Sequence, residues 1–239
     1  MFLKVAVSSL LSRKGSAVMT LMAISVAIFV LLGIEQIRQQ ARDSFASTVS
    51  GVDLIVGAKT GSLNLLLYSV FRIGSPTDNI SWQAYRDIAD SDDVAWAIPI
   101  SLGDSHKGYR VVGTTQAFFE HFSFGKKRRL AFFKGEAFEG TFDAVLGSEV
   151  ASALGYSVGT KIILAHGLAS TSFTKHDNQP FVIAGVLAPT GTPVDQTIHV
   201  RLEGIEAMHA SGSTVPIGAF ATANTPATDF SEPESITAF

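Results

Sequence analysis

The chain has 239 residues, 46% of them apolar and only 16% charged, with a mean hydropathy of +0.30 and no cysteine. A net charge of −3 excludes the broad basic face that nucleic-acid binding needs to displace counterions, and the short run Lys126-Lys127-Arg128-Arg129 does not overturn this. Without cysteine there is no disulfide framework, zinc–thiolate site or thiol nucleophile.

Phe2, Leu3, Ala6, Leu10 and Leu11 recur near helical spacing beside Lys4 and Arg13, which predicts a short amphipathic segment over 1–14 on the inner membrane surface, or else a frayed terminus. Gly15 to Ile34 then carries no charge. At about 1.5 Å per residue this stretch spans a hydrocarbon core of roughly 30 Å, so 15–35 is predicted to cross the membrane once. A cleaved signal would have a shorter apolar core and a small-x-small cleavage site, whereas this run passes directly into Glu35-Gln36-Ile37-Arg38. Lys4, Arg13 and Lys14 precede the span and mixed charges follow it, which predicts a cytoplasmic N-terminus. Residues 36–48 lack glycine and proline and mix charged with apolar residues, as a helical stalk would.

Beyond Val49 the period changes. Val52–Val56, between Gly51 and Gly57, reads as a strand, and Ser81–Ala89 as an amphipathic helix presenting Trp82, Tyr85, Ile88 and Ala89 on one face after Asn79. Val94–Leu102 and Tyr109–Gly113 read as strands joined by a turn over Gly103–Gly108. Ala144–Gly147, Ser148–Leu154 and Gly155 read as strand, helix and glycine stop. Strands are predicted at Lys161–Ala165, Phe181–Leu187 and Thr197–Leu202, a helix at Leu202–His209, and a linker over Thr222–Glu234. Short strands and helices without regular βαβ alternation make the class α+β.

No Gly-x4-Gly-Lys-Ser/Thr phosphate cradle, His-Glu-x-x-His or Gly-x-Ser-x-Gly string occurs, so nothing points to nucleotide hydrolysis or to catalysis by this chain. No cofactor is implied. Asp53 lies in an otherwise apolar run, where an unpaired charge is costly; it either fixes the junction between stalk and domain or is a plain satisfied carboxylate. His166, His176 and Asp177 flank one loop, a donor set that suits a divalent transition metal, against the reading that these, like His106 and His121, are ordinary surface histidines. Lys126–Arg129 reads as a solvated turn or a contact for anionic lipid headgroups or a partner. The surrounding Phe118, Phe119, Phe122, Phe124, Phe132, Phe133 and Phe138 read as core or as an exposed patch.

The order of several strings resembles FtsX-like and MacB-like permeases of the lipoprotein-release type: Ser8–Lys14 before the span, Ala41–Lys59 after it, then Val111–Thr115, Ala144–Gly147 and Val186–Asp195. The resemblance implies an inner-membrane ABC permease subunit that dimerises with itself or a related chain and binds a cytoplasmic ATP-binding subunit. It also implies an N-terminal transmembrane helix and stalk followed by a two-lobed α+β periplasmic core over 49–225. Residues 226–239 would lead toward a second membrane helix beginning near Ser235–Phe239. Its cargo would be a lipoprotein, peptide, drug or metal-related substance, with membrane lipids and a periplasmic binding protein or lipoprotein as further partners. An FtsX-like scaffold activating a periplasmic partner, or a single-pass anchored metal- or ligand-binding protein, are the alternatives.

Overall fold

The computed structural model describes residues 12–48, 50–166, 179–212 and 232–239. The chain divides into two compact units, Met1–Ala46 and Ser47–Phe239. The expected surface segment over 1–11, the loop with His176 and Asp177, and nearly all of the Thr222–Glu234 linker lie outside the described residues.

Most of the first unit is helix α1, Lys14–Thr48, which runs without a break through the apolar stretch and on through 36–48. Residues Lys14–Gln40 are long and apolar enough to cross a bilayer, and none of that span is buried by the rest of the chain. Leu21, Met22, Ile24, Val26, Phe29 and Leu31 are all more than half exposed. These positions circle the helix instead of forming one stripe, so the whole circumference asks for an apolar environment. The Thr20 hydroxyl is satisfied within the helix, donating to the Ser16 carbonyl at 3.0 Å, as a polar group in lipid must be. Arg38 and Glu35 pair at 2.7 Å near the far end of the apolar stretch.

The second unit is built on an eight-stranded mixed sheet. Its strands are β2 (Ser101–His106), β3 (Tyr109–Thr114), β6 (Phe132–Gly135), β7 (Asp143–Leu146), β8 (Lys161–Ile162), β9 (Ala165–His166), β10 (Phe181–Leu187) and β11 (Thr197–Arg201). The order is β6-β10-β7-β11-β3-β2-β9, with β8 on β10; β10 is parallel to β7 and β11 to β3, and the other pairs are antiparallel. Two further pairs complete the strands: β1 (Ile80–Ser81) with β12 (Ser235–Ile236), and β4 (Ser123–Phe124) with β5 (Arg128–Arg129). The helices are α2 (Ser62–Ser69), α3 (Trp82–Ala89), α4 (Ala117–His121), α5 (Ser148–Leu154) and α6 (Leu202–Gly212).

Alternation along the central strands sorts side chains onto two faces. Ala144, Leu146, Ile198 and Val200 join Phe181, Ile183 and Met208 in one buried cluster. Val145 points the other way, into a cluster with Ile98, Phe118, Phe119, Phe138, Leu187 and Val194. His199 is level with Val145 and Val112 in the ladder, so it occupies this second core face.

The strand–helix–glycine reading of 144–155 holds: β7 passes through Gly147 into α5, and Gly155 ends it in the left-handed region at φ +67°. The helix at 81–89 also holds, but its N-cap is Ser81, whose hydroxyl accepts from the Ala84 N–H at 3.2 Å, not Asn79. The predicted turn Gly103–Gly108 shrinks to Lys107-Gly108, both at positive φ, because that two-residue geometry matches strand twist and lets β2 run on to His106.

Three expectations fail. Of the predicted strand Val94–Leu102 only the last two residues belong to β2, and Val94–Pro99 carries no ladder. Val52–Val56 is extended but is not a ladder strand; only its end is tied, through paired backbone bonds of 2.9 Å each way between Val56 and Phe239. Ser235–Phe239 is not the start of a helix. Ile236 and Ala238 are fully buried, β12 pairs with β1, and Ala238 bridges to Gly57 and Ile100, so tertiary pairing decides the conformation of this apolar segment. Helices α2 and α4 were not foreseen.

Candidate functional site

The strap Val52–Val56, the chain following α2, residues 94–100 and α4 line a pocket of about 320 Å³, partly open to solvent, within the second unit. That volume falls in the small-ligand class, which begins at about 300 Å³. Ile55, Trp96, Ile98, Phe118 and Phe122 give it an apolar lining. Its charged members are Arg72, Asp53 and Asp93, and both aspartates are exposed whereas Arg72 is only partly so.

Arg72 owes its place to an unusual helix exit. Beyond α2 the chain widens, with the Phe71 N–H on the Leu66 carbonyl at 3.4 Å and the Ile73 N–H on the Leu67 carbonyl at 3.0 Å. Arg72 itself is left-handed at φ +59°, a conformation costing a non-glycine residue roughly 1–2 kcal/mol. Its Nη1 donates to the Ser69 carbonyl, at the negative end of α2. Burial pushes the guanidinium pKa down to about 10, and the like charge of Arg110 adds to this. Arg110 in turn donates to the Gly74 carbonyl, and its pKa is also lowered by burial.

Beneath the cavity, the Phe118 ring stacks on His199 at 4.7 Å and on Phe122 at 4.9 Å. His199 is fully buried, and neither ring nitrogen has a well-formed hydrogen-bond partner. Burial first, and then the positive charge of Arg72, bring its pKa down to about 3, with the Val145 backbone opposing in part. The imidazole is therefore neutral, and Arg72 is close enough to be felt by it.

The residues singled out from sequence fall in different places. Asp53 stands exposed on the cavity lining. His166 lies opposite Asp104 in the β2–β9 ladder; its side chain, like His176 and Asp177, lies outside the described residues. His106 is structural, its Nδ1 2.7 Å from the Ile163 carbonyl and its Nε2 3.0 Å from the Tyr156 hydroxyl, and burial lowers its pKa. His121 stacks on Trp96 at 5.2 Å. His209, not foreseen, lies 3.6 Å from the buried carboxylate of Asp104, which raises its pKa against burial. Among the described residues no group of three or more acidic, histidine or cysteine side chains is placed to hold a metal.

Lys126 and Lys127 form the exposed tip of the β4–β5 hairpin and Arg128-Arg129 is the exposed strand β5, with Arg128 over the Phe124 ring at 4.5 Å. Phe118, Phe119, Phe124 and Phe138 are core residues, whereas Phe133 is 69% exposed. Arg72 and the cavity were invisible in the sequence, since Phe71-Arg72-Ile73 carries no pattern and the lining comes from separated segments. The site holds no nucleophile–base pair; its chemistry is that of an apolar binding space with one cation in its wall.

Among solved structures, the chain is similar to the extracellular domain of the noncanonic ABC-type transporter YknZ from Gram-positive bacteria, at 12% identity and a TM-score of 0.38, covering 55% of this chain and 67% of that one. It is also similar to a domain of a putative permease protein from Porphyromonas gingivalis, at 14% identity and a TM-score of 0.32, covering 46% and 47% respectively. No curated protein matches. The profile of the MacB-like periplasmic core domain matches residues 17–228, and the chain belongs to that family.

Proposed function

We propose that this chain is the membrane-anchored part of an ABC-transporter permease subunit. In this reading residues 15–35 lie in the bacterial inner membrane with the N-terminus cytoplasmic, 36–48 form the stalk, and the following domain stands in the periplasm. The observation that carries it is the family match over 17–228 on a chain whose apolar segment continues as one helix to Thr48. ATP hydrolysis belongs to a separate cytoplasmic subunit, and the stalk of a permease dimer transmits the resulting motion to the periplasmic domain and its cargo, whether lipoprotein, peptide, drug or metal-related.

The test is purification of the tagged protein from detergent-solubilised host membranes. An ABC ATP-binding subunit should co-purify and the complex should turn over ATP. A periplasmic hydrolase bound instead, with no cargo moved, would establish an FtsX-like scaffold. Recovery of the protein alone would favour a single-pass anchored ligand-binding protein, a reading to which the apolar cavity also lends support.

A further inference from the structure

We propose that the cavity beside the Val52–Val56 strap binds a medium-chain alkyl carboxylate, its chain lying among Ile55, Trp96, Ile98, Phe118 and Phe122 and its carboxylate on the Arg72 guanidinium. The inference does not depend on an ATPase partner and stands or falls separately from the permease assignment.

A concave, largely apolar pocket with a few charged groups is the usual form of a small-ligand site. Here about 320 Å³ is open, room for on the order of ten methylene-sized groups at roughly 30 Å³ each. An apolar lining alone would suit any hydrocarbon, and Arg72 narrows the class. Among the described residues Arg72 makes no ion pair. Near it stand the Ser69 carbonyl, which takes one of its donors, the like-charged Arg110 and the neutral His199.

A guanidinium has five donors in a rigid fork suited to a carboxylate, so most of this one's capacity is unused in a wall that disfavours charge. The left-handed backbone at Arg72 sharpens the point, because glycine would end the helix there without strain. Asp53 and Asp93 are the exposed charges of the lining, so an anion is repelled there and drawn to Arg72. A neutral alkane would leave the guanidinium without a counter-charge, and an ammonium ligand would be repelled by it.

The experiment uses the full chain in phosphatidylcholine nanodiscs with a Trp82→Phe substitution, which leaves Trp96 as the only tryptophan. The probe is 11-bromoundecanoate, whose bromine quenches indole fluorescence at short range. Saturable quenching of Trp96 is expected, reversed by excess decanoate and not by decanol. Arg72→Met should weaken the apparent affinity at least about tenfold, as loss of a charged hydrogen-bonded pair implies, while Arg72→Lys retains part of it. Quenching that does not saturate, that 11-bromoundecanol reproduces equally, or that a folded Arg72→Met protein retains would overturn the proposal. The acid-against-alcohol comparison needs no change at Arg72, so it decides the matter even if that substitution prevents folding.

Discussion

At His199 the strand pattern calls for an apolar side chain and receives an imidazole. Its folded pKa of about 3 lies well below the usual value near 6.5. Between those pH values the unfolded chain binds a proton that the native state refuses, so stability falls as pH drops. His106, lowered by burial, acts in the same direction. His209, raised by Asp104, acts in the opposite one: its contribution is complete below about pH 6.5 and is lost as pH rises through its folded pKa. Replacing His199 with Phe keeps the stack on Phe118 and removes two buried nitrogens that lack a well-formed hydrogen bond. Urea unfolding of the variant should show about 2–3 kcal/mol less loss between pH 7.5 and 4.5 than the parent; identical pH dependence would refute this. Asp195 poses the reverse case. Its carboxylate accepts from the Thr190 N–H at 2.9 Å, the Gly191 N–H at 2.7 Å and the Thr190 hydroxyl at 2.9 Å, and it is buried. Asp195→Ala strands those donors, and a loss of about 2–4 kcal/mol is expected, with faster amide exchange at Thr190 and Gly191 as the local signature.

Elements whose signals were local were the legible ones. Helix α1 follows from an uncharged run, and the β7–α5 unit from Ala144-Val145-Leu146-Gly147 followed by a helix former and a glycine stop. What escaped was set by distant partners: Val52–Val56 lacks a full ladder neighbour, and Ser235–Phe239 is claimed by β1, Gly57 and Ile100. The candidate site was nearly illegible for the same reason. Only Asp53 of its charged residues had been marked, and Arg72 gains its character from burial and from a helix exit that no motif announces. The two glycines bounding α5 separate space from dihedral. A Cβ on Gly147 would lie 2.2 Å from the Val194 carbonyl oxygen, whereas one on Gly155 meets nothing but must accept φ +67°. Gly147→Ala should therefore cost about 3 kcal/mol and Gly155→Ala only about 1 kcal/mol. Equal losses in denaturant titrations would show that the carbonyl contact relaxes.

For the molecule as a whole, the decisive question is which compartment holds each end of α1. The apolar side chains around Lys14–Gln40 have no cover from the chain itself, and burying them in lipid gains about 25 cal/mol per Å² of apolar surface. Orientation rests on a smaller difference. Arg13 and Lys14 stand at the start of the helix without an acid nearby in sequence, whereas Arg38 beyond the apolar run is paired with Glu35; such a bias of cations favours the proposed cytoplasmic start of the helix. The cysteine-free sequence makes this directly measurable, since one introduced thiol is the only target for a maleimide. Lys126→Cys sits on an exposed hairpin tip of the second unit and should react with a membrane-impermeant maleimide in intact spheroplasts. Lys14→Cys should react only after the membrane is opened. The reversed pattern would place the folded domain in the cytoplasm, and reaction of both sites in a protein that carbonate washing strips from the membrane would remove the bilayer from the account altogether.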